Sequence, residues 1–183
     1  MTETSASSAH PAPEDVDEKW RAYPDTVLEF DGDVPLRLDL RRRLSADDRA
    51  DLAARGLGEP FGVFTAENPA GQNAEDEPSP AAEAQRERSN ERRVGRLESE
   101  LRRRGVAYTH VDGVSPDGQY REHCVATLMP RDEAIAFARA YDQLALFWYD
   151  GAAFWLLPAV AHKAPERLPR GADDGNGRAR QAV

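Results

Sequence analysis

The chain alternates between short apolar stretches of period two and longer stretches whose apolar positions recur every three or four residues. One stretch breaks the simple alternation. In Phe61-Gly62-Val63-Phe64-Thr65-Ala66-Glu67-Asn68-Pro69, Phe61 and Val63 point one way while Phe64 and Ala66 point the other. Apolar residues at both parities predict a strand covered on both faces, and so a central one. Pro69 cannot donate to a ladder, so pairing stops there. Thr65, Glu67 and Asn68 are left at a strand end, where sites are commonly built on a rigid scaffold.

The other elements follow from the same reading. Residues 26–30 and 35–40 are short strands, the second with Leu36, Leu38 and Leu40 on one face. Ser45 followed by acids opens a helix that Gly56 stops. Near Ser89-Asn90 a second helix begins, with Val94, Leu97 and Leu101 as its stripe and Arg102 to Arg104 in its last turn. Residues 106–111 and 120–129 form strands around the turn Ser115-Pro116-Asp117-Gly118. Pro130 opens a helix that buries Ala134, Phe137, Ala138 and Tyr141. Two strands, 144–149 and 152–157, close a hairpin on Asp150-Gly151 in a two-residue turn, and their Phe147, Trp148, Phe154 and Trp155 supply much of the core.

From residue 61 the order is therefore strand, helix, strand, strand, helix, strand, strand. This is an α+β class chain with the split β-α-β arrangement of ferredoxin-like folds, an added C-terminal hairpin strand and an N-terminal β-β-α extension. The expected organisation is a disordered tail over 1–17, one domain over 18–162 and a second disordered tail over 163–183. Within the domain, 70–88 holds no hydrophobic residue larger than alanine and is expected to be a flexible acidic insertion.

Composition narrows the function classes. With 33 acidic residues against 24 basic ones, the net charge is −9. That argues against a general nucleic-acid binder, which needs clustered Lys and Arg, and against docking on anionic lipid. No stretch approaches the roughly 20 apolar residues of a membrane helix. Residues 1–13 lack the apolar core of a signal peptide, so a soluble, cytoplasmic protein is expected. Lysine is rare and arginine and alanine abundant, as in a GC-rich bacterial genome. The one cysteine, Cys124, rules out an intramolecular disulfide and a thiolate zinc cage. Nucleotide-binding glycine patterns, phosphate loops, nucleophile elbows and zinc helices are missing, and no cofactor is expected.

What remains is a set of polar residues at unusual places. Asn90 and Arg93 lie along the edge of a helical apolar stripe, and a partly buried arginine needs an acid or an anion. Glu122 sits on an apolar strand face and needs a cation. An Arg93–Glu122 pair across the helix–sheet interface answers both needs. It is either a structural ion pair or part of a pocket with Thr65, Asn68, Asn90 and Gln143. Gln143 reads equally as an amide capping the preceding helix, and Asn68 before Pro69 as turn chemistry. His110, Cys124 and Glu122 would form a metal set only if a bulge in the 115–118 turn placed His110 opposite Cys124.

Phe61 to Pro69, Ser89-Asn90 with Arg93 and Leu97, Gly113 to Gly118 with Glu122, and Gln143 to Phe147 stand in a definite order. In that order the chain resembles a bacterial family known only as a domain of unknown function. That family's pattern is a Thr-x-x-Asn-Pro strand end, an Asn with an Arg at a helix head, a Glu on the following hairpin and a Gln-x-Ala-x-Phe-like strand. The likeness spans roughly 60–157, and the chain departs from it by the acidic insertion from Ala70 to about Arg88. The resemblance implies a residue list and no activity.

Together these readings predict a small soluble ligand-binding or regulatory module. Arg93 would hold an anionic group, and Thr65, Asn68, Asn90 and Gln143 would line the pocket. The alternatives are an enzyme using Glu122 as general acid or base with Arg93 stabilising negative charge, and a protein-interaction module with a purely structural Arg93–Glu122 pair. The partner is an unidentified small molecule or protein.

Overall fold

The computed structural model describes residues 13–70 and 79–171. Helix α1 (Pro13–Ala22) leads through a 3-10 turn (Tyr23–Asp25) to strands β1 (Val27–Phe30) and β2 (Leu36–Asp39), then helix α2 (Ala46–Ala54). Strand β3 (Phe61–Thr65), helix α3 (Pro80–Arg103), strands β4 (Tyr108–Val114) and β5 (Arg121–Thr127) and helix α4 (Arg131–Ala140) follow. Strands β6 (Ala145–Tyr149), β7 (Phe154–Pro158) and β8 (Glu166–Arg167) complete the order. All eight strands join one antiparallel sheet in the order β2-β1-β4-β5-β3-β6-β7-β8. The chain is thus of mixed α+β class.

Alternation along the strands splits the interior in two. Leu28, Phe30, Leu36, Leu38, Phe61, Val63, Val111, Cys124, Ala126, Phe147, Tyr149, Phe154 and Leu156 all belong to one core. Strands from one edge of the sheet to the other contribute to it, so the sheet curls around a common interior. Trp20 of α1, Leu52 of α2 and Leu57 fill the inside of the curl. On the outer face, Leu97 and Leu101 of α3 and Ala134, Phe137 and Ala138 of α4 pack on Phe64, Val125, Leu146 and Trp148. Strand β3 is buried along its whole length, as its double-faced pattern requires. Gly62 allows α4 close approach, since a Cβ there would sit 3.0 Å from the Cβ of Ala134.

Local chemistry sets the element ends. Ser45 caps α2 by a reciprocal capping box with Asp48. Gly56 (φ +76°) and Gly105 (φ +69°) take the left-handed conformation after α2 and α3.

Several expectations are corrected. Helix α3 begins at Pro80, not near Ser89, so 80–88 is helical rather than a flexible insertion. Ser79 Oγ accepts from Ala82 N (3.2 Å), and the Ala, Gln, Glu and Arg that follow are strong helix formers, so no apolar stripe is needed there. Residues 13–17, expected in a disordered tail, lie in α1. The expected C-terminal tail contains β8 and buried Leu168, and Arg170 donates to Trp20 O and Arg21 O (3.2 Å each). The remaining tail and insertion residues, 1–12, 71–78 and 172–183, lie outside the described residues. The β6–β7 connection is a four-residue turn over 150–153, because Tyr149 pairs with Phe154. Asp150 Oδ1 accepts from Ala152 N and Ala153 N (2.8 Å each), which favours the longer turn over the two-residue one. Among the described residues no helix is long and apolar enough to cross a membrane.

Candidate functional site

The polar end of β3 is the centre of a hydrogen-bonded cluster. Beyond Thr65 the chain leaves the sheet, and Asn68 takes a positive φ of 44°, a conformation asparagine tolerates better than most residues. Its amide meets Asn90 of α3 reciprocally: Asn68 N donates to Asn90 Oδ1 (3.1 Å) and Asn90 Nδ2 donates to Asn68 Oδ1 (3.0 Å). Asn68 Nδ2 then donates to Glu122 Oε1 (3.0 Å) and to Tyr120 Oη (2.9 Å). Tyr120 Oη donates to the same Glu122 Oε1. Asn68 and Asn90 thus stay together although 70–88 separates them in sequence.

Arg93 and Glu122 do not pair. Helix α3 covers the outer face with Phe64 and Val125, whereas Glu122 shares the parity of Cys124 and Ala126, which face the inner core. The sheet lies between them. Arg93 Nε donates to Ala66 O (2.7 Å) and Nη2 to Tyr141 O, with Asp142 Oδ2 3.7 Å away. Gln143 is buried and donates through Nε2 to Glu67 O (2.8 Å) and Tyr141 O (3.3 Å), the carbonyl-capping role. Thr65 Oγ1 donates to His123 O (2.7 Å) and accepts from Glu67 N (2.9 Å). Of the six candidates, Asn68, Asn90 and Glu122 therefore converge. Thr65, Arg93 and Gln143 hold the β3 exit in place through hydrogen bonds to backbone groups.

Two further residues belong to this cluster. Tyr120 stands two positions before Glu122 on the same strand face, a period-two signal present in the sequence. Glu67 continues the β3 alternation and is 7% exposed, with Oε2 accepting from His123 N (3.3 Å). Burial pushes its carboxyl pKa up, partly offset by the His123 N–H and aggravated by the nearby Glu122 and Asp112 charges. On the outer face His123 Nδ1 bonds Asp112 Oδ1 (2.8 Å), and Arg121 bridges Asp112 and Glu29. That contact depends on the β4–β5 register, which no local motif discloses.

The electrostatics define what the cluster can do. Burial, and next the Glu122 carboxylate, raise the pKa values of Tyr23 and Cys124. Desolvation and then Glu122 raise that of Tyr120. Both tyrosines remain hydroxyl donors, and Cys124 remains a thiol rather than a nucleophilic thiolate. Among the described residues no cation pairs with Glu122, and its Oε1 takes both internal donors. His110 lies opposite Val125 while Cys124 lies opposite Val111, so the two are on opposite faces and the metal set is not formed. Among the described residues no group of three or more His, Cys, Asp or Glu is placed to hold a metal ion.

Glu67 makes a pH prediction. Its carboxyl titrates above the ordinary value of 4.5 in the folded state, so the folded chain binds the proton more tightly than the unfolded one. The stability that Glu67 contributes is then fully present below the unfolded value and is lost as pH rises through the folded value. Urea denaturation across about pH 4 to 8 should show that fall in wild type and a flatter profile in Glu67→Gln. An equally steep fall in the variant would assign it to another group.

No curated protein and no solved structure matches the chain. Residues 78–146 match the family described as "Protein of unknown function (DUF3293)", a stretch running from the start of α3 into β6 that includes Asn90, Arg93, Tyr120, Glu122 and Gln143 but neither Thr65 nor Asn68.

Proposed function

We propose that this chain is a small ligand-binding module whose site is the Asn68–Asn90–Tyr120–Glu122 cluster. It takes a ligand through a hydrogen-bond-donating group, a protonated amine above all. The observation that carries this is the partnering of Glu122. A carboxylate held by two neutral donors on one oxygen, with Glu67 nearby and no paired cation among the described residues, favours an incoming donor. The anionic ligand expected from Arg93 does not suit this site, because that guanidinium is engaged by backbone carbonyls. The same engagement weakens the enzyme reading, which needs Arg93 free to stabilise developing charge.

The setting supports a rigid site. The strand order β4-β5-β3-β6, with α3 and α4 against one face, favours the ferredoxin-like split β-α-β reading of this part, with β7 and β8 added at one edge and β1 and β2 at the other. We read 13–171 as one domain of a soluble, cytoplasmic protein, probed by native purification.

The test is a thermal-shift series with primary amines and matched carboxylates at fixed ionic strength, on wild type and Glu122→Gln. Amines should raise Tm in wild type, and affinity should drop about tenfold or more (~1.4 kcal/mol) in the variant. Equal shifts from amines and carboxylates, or an unchanged response in Glu122→Gln, would sink the assignment.

A further inference from the structure

The outward side of α3 is basic in a chain of net charge −9. Arg88, Arg92 and Arg96 stand at successive i, i+4 positions, so they form a row along one side of the helix, about 6 Å apart along its axis. Arg88 comes two and a half turns before Leu97, and Arg92 as far before Leu101, at about 3.6 residues per turn. The row therefore lies opposite the buried stripe, and all three arginines are exposed. Ala81, Gln85, Gly95 and Ser99 share this side, which carries no acid.

Such a row is unfavourable in the chain alone. Like charges at i, i+4 destabilise a helix, and Arg88–Arg92 and Arg92–Arg96 are two such pairs. Arg92 has Arg88, Ser89, Gly95 and Arg96 at the helical neighbour positions, so no acid of α3 stands beside it. Glu100, one turn after Arg96, accepts from Arg103 and Arg104 instead. Among the described residues no hydrogen bond or ion pair engages Arg88, Arg92 or Arg96. Packing offers no compensation, because the buried residues of α3 are Leu97 and Leu101, and its first turns are held by the Ser79 cap and by propensity. A local rule broken without an internal remedy marks a functional surface. We infer that this side of α3 docks an acidic helix of another protein, whose carboxylates recur every fourth residue and meet the three guanidinium groups.

The narrowness of the row selects that partner over a nucleic acid. Glu87 and Glu91 flank it on one side, and a duplex, with phosphates spread across a wider footprint, would bring some of them onto these acids. The helix has no aromatic residue on which a base could stack. A partner helix has the same rise per residue, so carboxylates at i, i+4 and i+8 match Arg88, Arg92 and Arg96 one for one, each suited to a bidentate fork. Basic residues beside that acidic stripe would in turn meet Glu87 and Glu91. A Cβ added at Gly95 would touch nothing within 4 Å, so the middle of the row is open to a close approach. The row takes no part in the Asn90–Asn68–Glu122 contacts, which makes docking and amine binding separable.

The test is a fluorescence-anisotropy titration of the full chain into a labelled alanine-based helical peptide. It carries Glu at three successive i, i+4 positions, with lysines beside them. A peptide of the same composition with its glutamates scattered round the helix, and a short DNA duplex, are the comparisons. Wild type should bind the striped peptide about tenfold more tightly than the scattered one, and more weakly as salt rises. Arg88→Gln/Arg92→Gln/Arg96→Gln should abolish that preference, and Arg92→Gln alone should weaken the striped peptide severalfold. Glutamine is a strong helix former, so these exposed substitutions keep the fold, and the amine-induced rise in Tm should be unchanged in the triple variant. Arg86→Gln removes one charge from another side of α3 and should leave peptide binding as it is. Tighter binding of the duplex than of the striped peptide would make the partner a nucleic acid and overturn the inference. Equal binding of the two peptides, binding of neither, or an equal loss in Arg86→Gln would overturn it as well.

Discussion

Phe61→Ala is expected to destabilise the fold by about 3–5 kcal/mol, the cost of removing a buried aromatic ring from a core that cannot fully collapse. Phe61 is 0% exposed. Its ring lies 5.2 Å from Tyr149 and 5.8 Å from Phe154, the second in an edge-on arrangement. Each such pair adds roughly 0.5–1.5 kcal/mol beyond burial. Strand β3 is also hydrogen-bonded on both sides, to β5 and β6, so the vacated space cannot close by moving an edge strand inward. Phe61→Leu keeps most of the volume and should cost far less. Urea denaturation of the three proteins checks this through the midpoint at constant slope. A loss under about 1 kcal/mol for alanine would mean that the inner core is not packed around β3.

That core was legible in the sequence because side-chain direction has period two. Phe61 and Val63 against Phe64 and Ala66 announced a strand with two covered faces, and the structure puts each pair in a different core. Leu36 and Leu38 gave their face in the same way. Caps were legible too: Ser45 with Asp48, and the glycines after α2 and α3. Such signals are local, set by a few neighbouring residues.

The curl was not legible, because it depends on which strands meet. Nothing in 36–39 or 166–167 states that those strands are opposite edges of one sheet. Register hid the rest of the site: whether His110 or Val111 faces Cys124 is a one-residue choice that exchanges the faces. Residues 80–88 misled in another way. They lack hydrophobic side chains larger than alanine, as a loop does, but an exposed helical turn needs propensity and a cap, not a buried stripe. For Glu122, the apolar face correctly marked an unusual carboxylate. The partner was mistaken because the sequence places Arg93 on a helix without saying which side of the sheet the helix covers.

Arg93→Ala is therefore expected to behave as a structural lesion, with a loss of about 2–4 kcal/mol. The side chain sends Nε to Ala66 O and Nη2 to Tyr141 O, tying the exit of β3 to the end of α4. Alongside it, Ala70 N donates to Asp142 O (2.6 Å) and Gln143 Nε2 to Glu67 O (2.8 Å). Asp142 holds a positive φ of 57° at this junction. Removing the guanidinium leaves two carbonyls without their charged donor, and hydrogen bonds to charged groups are worth about 1.5–3 kcal/mol each. Partial exposure of Arg93 lets water recover some of that, which brings the expected loss to the lower end of the summed range and somewhat below it, about 2–4 kcal/mol. Arg93→Lys should rescue little, since a single ammonium does not reproduce a planar fork spanning two acceptors. The decisive comparison pairs denaturation with amine binding at the Glu122 cluster. A structural Arg93 lowers stability strongly, while the folded fraction of Arg93→Ala keeps amine affinity within about tenfold, because Asn68 still bridges Asn90 and Glu122. Unchanged stability with binding abolished would instead return Arg93 to the ligand, and the bracket across the β3 exit would have to be abandoned.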